Sequence, residues 1–239
     1  MTKKSKTSCL LLHGFTSHRS SLEAVIPELD KRKIPWHYPI LAGHGSNPKD
    51  LTDKTWDHWQ QDAEMGLKYL LQTNDRVVII ALSMGTLLAL ELAEKYPEKV
   101  AGLVLLSPAL HFKLKLAKYT NTISRFVNRF PNPSTAKFSS HKYAKHDKGY
   151  LWFPTSAFKQ YWLRTQHFDS VLEKIHQPVR IIHSKKDLVA NPSGALHIYS
   201  TIPSKKKDMI WLSESGHEVL LDAEVKTVLK SIFSFKLFN

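Results

Sequence analysis

An α/β fold, a mostly parallel sheet with helices on both faces, is what this 239-residue sequence predicts. Three observations carry that reading. Short apolar runs such as Cys9-Leu10-Leu11-Leu12 and Val77-Val78-Ile79-Ile80 alternate with amphipathic stretches, the pattern of parallel strands joined by crossover helices. The run at Val77 breaks sharply into a helix through Ala81-Leu82-Ser83-Met84-Gly85. With 42% hydrophobic residues, the chain is long enough to bury one sizeable core.

Taken in order, the runs place strands at about 8–12, 36–40, 76–81, 100–106, 179–183 and 208–212, and helices near 20–32, 54–72, 84–96, 193–201 and 219–233. Pro97 stops the third helix and Pro108 ends the fourth strand. Between about 111 and 165 the alternation fails. This interval is rich in aromatics and lysines, with turn signals at Pro131-Asn132-Pro133 and Gly149. It reads as a helical cap (111–165) inserted over the C-terminal edge of a sheet built from 1–110 and 166–239, the alternative being a peripheral helical pair on the core.

Composition narrows the function classes. One cysteine, Cys9, excludes an internal disulfide and suits a cytoplasmic location. The start carries Lys3, Lys4 and Lys6, but the apolar run behind them is too short for a signal peptide. No stretch of about 18 apolar residues marks a membrane span. Of the net charge of +13, +8 falls between His111 and Tyr150, where nine Lys or Arg meet one acid, Asp147. Such a patch suits anionic lipid, a negatively charged substrate or plain solubility. Nucleic acid is not expected, because no reading motif accompanies it. Metal and cofactor are not expected either: no His/Cys/Asp cluster has ligand spacing, and no glycine-rich phosphate loop occurs.

A serine on a tight strand-turn-helix junction projects its hydroxyl above the sheet edge, and small residues two before and two after it keep the turn from clashing. Ser83 has Ala81 and Gly85 in those places. A buried serine capping a helix is the plainer alternative. A serine hydroxyl is a weak nucleophile, so acyl transfer needs a base and a carboxylate to orient it. Asp187 follows the strand at 179–183, and His217 follows the strand at 208–212, so all three sit at one edge of a parallel sheet. Asp222, in the first turns of the expected last helix, rivals Asp187. Backbone N–H groups of Phe15 and Met84 are the expected donors for a tetrahedral oxyanion. His13 and His44 read as loop-holding residues, and His183 and His197 as buried or solvated ones.

With these residues in view, the chain resembles the α/β-hydrolase superfamily of serine hydrolases, and within it the carboxylesterase and monoacylglycerol lipase-like branch. The resemblance runs over nearly the whole chain. It rests on Leu11-Leu12-His13-Gly14-Phe15, Leu41-Ala42-Gly43-His44-Gly45, the Ser83 elbow, Leu106-Ser107-Pro108-Ala109, Asp187 with Val189, and Gly216-His217 with Asp222. It implies Ser83 as nucleophile, His217 as base, Asp187 as orienting acid, and main-chain donors at Phe15 and Met84. Ala81, Thr86 and Ser184 stand where such proteins often carry glycine.

The expected reaction is cofactor-free hydrolysis of short- to medium-chain carboxyl esters, monoacylglycerols included, through an acyl-enzyme on Ser83. A thioesterase or an aryl (feruloyl-type) esterase on the same triad is the enzymatic alternative, alongside aminopeptidases and carbon–carbon bond hydrolases. A hydrolase-fold receptor binding a small ligand or lipid is the non-enzymatic one. Peripheral contact with anionic lipid through the basic interval is a candidate, and oligomeric state is left open.

Overall fold

In the computed structural model, which describes residues 7–237, six apolar runs form one parallel sheet. Lys3, Lys4 and Lys6 lie outside the described residues. The chain runs through β1 (Thr7–Leu12), β2 (Trp36–His37), β3 (Arg76–Leu82) and β4 (Val100–Leu106). A separate antiparallel pair follows, β5 (Arg129–Pro131) and β6 (Trp152–Pro154), before β7 (Val179–Ser184) and β8 (Lys207–Leu212). The sheet order is β2-β1-β3-β4-β7-β8, and every neighbouring pair is parallel.

Successive side chains of a strand point to opposite faces, so runs buried on both sides feed two cores. Leu10, Leu12, Ile79, Ala81, Leu103 and Leu105 enter one. Cys9, Leu11, Ile80, Leu82, Val104 and Leu106 enter the other. The expected strand at 36–40 is cut to two residues, because Pro39 has no N–H to give the ladder.

Helices cover both faces. The predicted helix at 20–32 is two pieces, α1 (Ser20–Glu23) and α2 (Ile26–Lys31), with Pro27 in the first turn of the second. Then come α3 (Trp56–Leu71) and α4 (Met84–Lys95). Ten consecutive residues of α4, Met84 to Ala93, are buried, as befits a helix packed all round.

Between β4 and β7 the elements shorten: α5 (Thr120–Ile123), α6 (Ser134–Lys137), α7 (His141–Ala144), α8 (Thr155–Thr165) and α9 (Asp169–Leu172). The β5–β6 pair was not expected, since three-residue runs are too short to show alternation. This stretch is tied to the core. Tyr161 Oη donates to Ala109 O at 2.7 Å, and Arg164 pairs with the buried Glu91 of α4.

After β7 come α10 (Pro192–Thr201) and α11 (Val225–Ser234). The last helix starts six residues later than its apolar pattern suggests. The Asp222 carboxylate instead takes the amides of Ser139 and Gly216 at 2.7 Å each and also binds the Ser139 hydroxyl, holding residues 216–222 as a loop. No helix among the described residues is long and apolar enough to cross a membrane.

Candidate active site

The turn after β3 puts Ser83 at φ 53° and ψ −120°, a backbone state that non-glycine residues rarely adopt. Its amide donates to Leu106 O at 2.9 Å, which pins the turn to β4. Thr86 serves the same turn, its hydroxyl donating to Ser83 O at 2.5 Å. Gly85 is required by contact: a Cβ there would lie 2.5 Å from Leu12 O and 2.6 Å from His13 O. Ala81, in the interior of β3, is fully buried without such conflict.

Asp187 is fully buried just past β7. Its Oδ1 accepts the amides of Val189 at 2.8 Å and Ala190 at 2.9 Å, and its Oδ2 accepts His217 Nδ1–H at 2.7 Å. Burial pushes the carboxyl up, but the charge and hydrogen bond of His217, with His183 and the Ala190 amide, outweigh it and hold the pKa below the usual carboxylate value. His217 mirrors this. Burial pushes its imidazole down, while the Asp187 charge and hydrogen bond, aided by Glu218, leave it above the ordinary value. The proton on Nδ1 leaves Nε2 with its lone pair.

Three interactions fix the histidine loop. Ser107 Oγ donates to His217 O at 2.8 Å, His217 N donates to Lys137 O at 2.7 Å, and Ser184 Oγ donates to Ser215 O. Asp222 touches backbone and Ser139 rather than His217. His183 is buried with Nε2 3.5 Å from Asp187 Oδ2, while His197 pairs with Asp169 on the surface.

Ser83, His217 and Phe15 line one cleft of about 240 Å³. Among the described residues, the amides of Phe15 and of Met84, the first residue of α4, have no protein acceptor. The loop carrying Phe15 is set by two neutral histidines. Burial pushes His13 down to about 4 and His44 well below its ordinary value, so each presents an unprotonated nitrogen. His13 Nε2 accepts Leu41 N–H at 3.1 Å, and His44 Nε2 accepts Thr16 N–H at 3.1 Å.

The cleft lining combines apolar residues, Phe112, Phe130, Phe153, Phe158, Tyr161 and Leu188, with polar ones, Thr16, Ser17, Asn132, Lys137 and Glu218. Behind Phe130, Phe153 and Phe158 lies a smaller apolar recess of about 30 Å³ that shares those rings. No group of three or more His, Cys, Asp or Glu among the described residues is placed to hold a metal ion.

The profile of the family described as serine aminopeptidase, S33, named Hydrolase_4, matches residues 3–224. The chain belongs to the Hydrolase_4 family. This Hydrolase_4 member is 25% identical over 229 residues to a carboxylesterase of Bacillus subtilis (strain 168), covering 95% of this chain and 90% of that protein. It is 27% identical over 232 residues to a thermostable monoacylglycerol lipase of Bacillus sp. (strain H-257), covering 95% and 88%. A solved structure from work on the metagenome-derived lipolytic enzymes LipS and LipT superimposes with TM-score 0.89 at 24% identity, covering 97% of this chain and 93% of that one. The monoacylglycerol lipase of Paleococcus ferrophilus does so with TM-score 0.83 at 17% identity, covering 96% and 93%. At these identities the structural likeness is one of fold, the α/β-hydrolase fold.

Three features of this Hydrolase_4 site are silent in the sequence. Lys137 and Ser139 brace the histidine loop from 80 residues upstream, and nothing in their local pattern announces it. Tyr161 is buried against the cleft beside the Ser83 side chain, although it reads as one more helical aromatic. Glu218 follows His217 into the interior, where a charged residue is not expected without partners. An acid directly after the histidine was the one available signal.

Proposed function

We propose that this serine hydrolase is a carboxylesterase acting on short- to medium-chain carboxyl esters, monoacylglycerols among them, through an acyl-enzyme. The observation that carries the reading is the buried Asp187–His217 pair opening onto the same aromatic-walled cleft as the strained Ser83. Ser83 Oγ attacks the acyl carbonyl as His217 Nε2 takes its proton, and Asp187 stabilises the imidazolium. The oxyanion is met by the uncommitted amides of Phe15 and Met84, the latter at a helix N-terminus; losing one such donor costs about 3 kcal/mol. His217 then protonates the leaving alcohol, and water repeats the sequence to free the acid. The apolar rings of the lining support an acyl chain as the group held there, and the carboxylesterase and monoacylglycerol lipase relatives support the ester class.

The test is a fluorophosphonate mass shift on the wild type and on Ser83→Ala, followed by p-nitrophenyl esters of increasing chain length with an acyl-coenzyme A arm. Label on the wild type alone and highest turnover on alkyl esters are expected. Label persisting in the variant, or faster turnover of aryl, peptide or thioester substrates, overturns the reading. Exposed Leu114, Leu116 and Phe126 beside Lys113, Lys115 and Arg125 also support peripheral contact with anionic lipid. Co-sedimentation with phosphatidylglycerol vesicles that fades with salt is expected, and equal binding to neutral vesicles counts against it. The lone buried Cys9 suits a reducing cytoplasm.

A further inference from the structure

Of the nine Lys and Arg between His111 and Tyr150, eight are exposed and Lys137 alone is buried. The single acid of that interval, Asp147, pairs with it, and both side chains are 6% exposed. Desolvating two charges offsets most of their attraction, so a buried ion pair adds little stability by itself. This one joins two loops that chemistry must align.

Lys137 closes α6, a single turn that cannot hold its own shape and leaves its last carbonyl without a helical partner. That carbonyl takes the amides of His217 at 2.7 Å and Glu218 at 3.1 Å. On the other side, Asp147 Oδ1 accepts Gly149 N–H at 2.8 Å, and Tyr150 N–H donates to Thr16 O at 2.9 Å. Thr16 sits at φ 60°, a left-handed state that a β-branched residue adopts only when held. It directly follows Phe15, whose amide is assigned above to the oxyanion. Asn132 fastens the same point, Nδ2 donating to Thr16 Oγ1 and Tyr150 O at 2.8 Å each. Only glycine fits at 149, where a Cβ would lie 2.9 Å from Thr16 O and 3.2 Å from Lys137 Nζ.

A bonded path therefore runs from the His217 amide through Lys137, Asp147, Gly149 and Tyr150 to Thr16. The Asp222 contacts with Ser139 and Gly216 hold the histidine loop alone and do not reach Thr16. We propose that the buried Lys137–Asp147 pair is a positioning device that sets the oxyanion loop and the base loop against each other, so that the Phe15 amide and His217 Nε2 serve one tetrahedral intermediate together. Neither side chain touches the reacting atoms; both act through the loops they join. The proposal rests on the esterase reading and deepens it.

The test is steady-state hydrolysis of p-nitrophenyl butyrate by the wild type, Lys137→Met, Asp147→Asn and the double variant Lys137→Met/Asp147→Leu, with urea unfolding to give the folded fraction. Asn keeps an acceptor for the Gly149 amide, and the double variant leaves no unpaired charge buried. Per folded molecule, kcat should fall about tenfold in each single variant with KM within about twofold, because alignment in the transition state is lost rather than binding. The double variant should lose no more than either single one, as partners in one device do. Losses that multiply in the double variant overturn the proposal. So does a KM that rises at unchanged kcat, which makes Lys137 a substrate contact. Where a single variant does not fold, the double decides, and wild-type kcat in a folded double overturns the proposal. An active wild type with unmoved variants defeats this proposal alone, whereas a wild type that turns over no ester defeats the esterase reading with it.

Discussion

Asp187→Asn should remove nearly all turnover while leaving the fold in place, and the hydrogen bonds around the carboxylate say why. Oδ1 is fixed by two backbone donors, Val189 N–H and Ala190 N–H. Turning the new amide so that its NH₂ met them would set donors against donors twice, at about 1–3 kcal/mol for each buried group left unmade. The oxygen therefore stays with the amides, and Nδ2–H₂ faces His217 Nδ1 in place of an acceptor. The imidazole answers by moving its proton to Nε2, where it can no longer take the proton of Ser83. A base locked in that tautomer loses about 10⁴ in kcat, close to 5 kcal/mol of barrier. The assay is p-nitrophenyl butyrate hydrolysis, with urea unfolding as the control for structure. Asp222→Asn is the companion variant. Its carboxylate ties Ser139 and Gly216 rather than His217, so the expected effect is a loss of about 1–3 kcal/mol of stability and a smaller loss of rate. A loss below about tenfold for Asp187→Asn, or one matched by Asp222→Asn, refutes the assignment.

Phe153 lines both the cleft and the recess behind it, so Phe153→Ala should help join the two and lengthen the preferred acyl chain, at a stability cost of up to about 3 kcal/mol; an ester series read for its optimum checks it. Activity needs neutral His217, whose pKa is raised, so the acid limb of kcat/KM should lie above 6.5, the ordinary imidazole value, as a pH–rate profile will report. Stability should run the other way from His13 and His183, which burial pushes down to about 4. Between the unfolded value of 6.5 and about 4 the unfolded chain binds protons that the native state does not, so each contributes on the order of 3 kcal/mol that is present above 6.5 and lost as pH falls; urea midpoints across that range measure it. His217, with its raised value, adds stability only at low pH and loses it as pH rises through the folded pKa. Gly85→Ala should cost about 3 kcal/mol or more, because the backbone carbonyls of Leu12 and His13 have no room to retreat, and a thermal melt no lower than wild type contradicts that packing.

Much of the architecture is legible along the chain because its cause is local. A strand buried on both faces must be apolar at every position, so Val77 to Leu82 and Val100 to Leu106 announce themselves, and the small residues around Ser83 follow from the steric demands of a single turn. His13 and His44 were legible as loop-holding residues for a related reason: glycine-flanked loops beside a strand end leave backbone amides that need acceptors. Where a side chain from afar competes, the local signal misleads. The apolar period from Val219 predicts helix, yet Asp222 spends its oxygens on Ser139 and Gly216 and delays α11 to Val225. The three-residue strands β5 and β6 exist only as a pair, and neither run carries a period of its own.

What sequence alone determined is the order of the main-sheet strands and of the longer helices packed on them, and the set of candidate groups at Ser83, Asp187, His217, Phe15 and Met84, since each depends on its own neighbours. Tertiary structure decided the pairing of Asp187 Oδ2 with His217 Nδ1, the brace of Lys137 and Ser139 on the histidine loop, and which aromatic and polar side chains line the cleft. The pairings among them join residues 30 to 83 positions apart. Which of many compatible side chains meet across such distances is set by how the layers pack, and that is a property of the whole core.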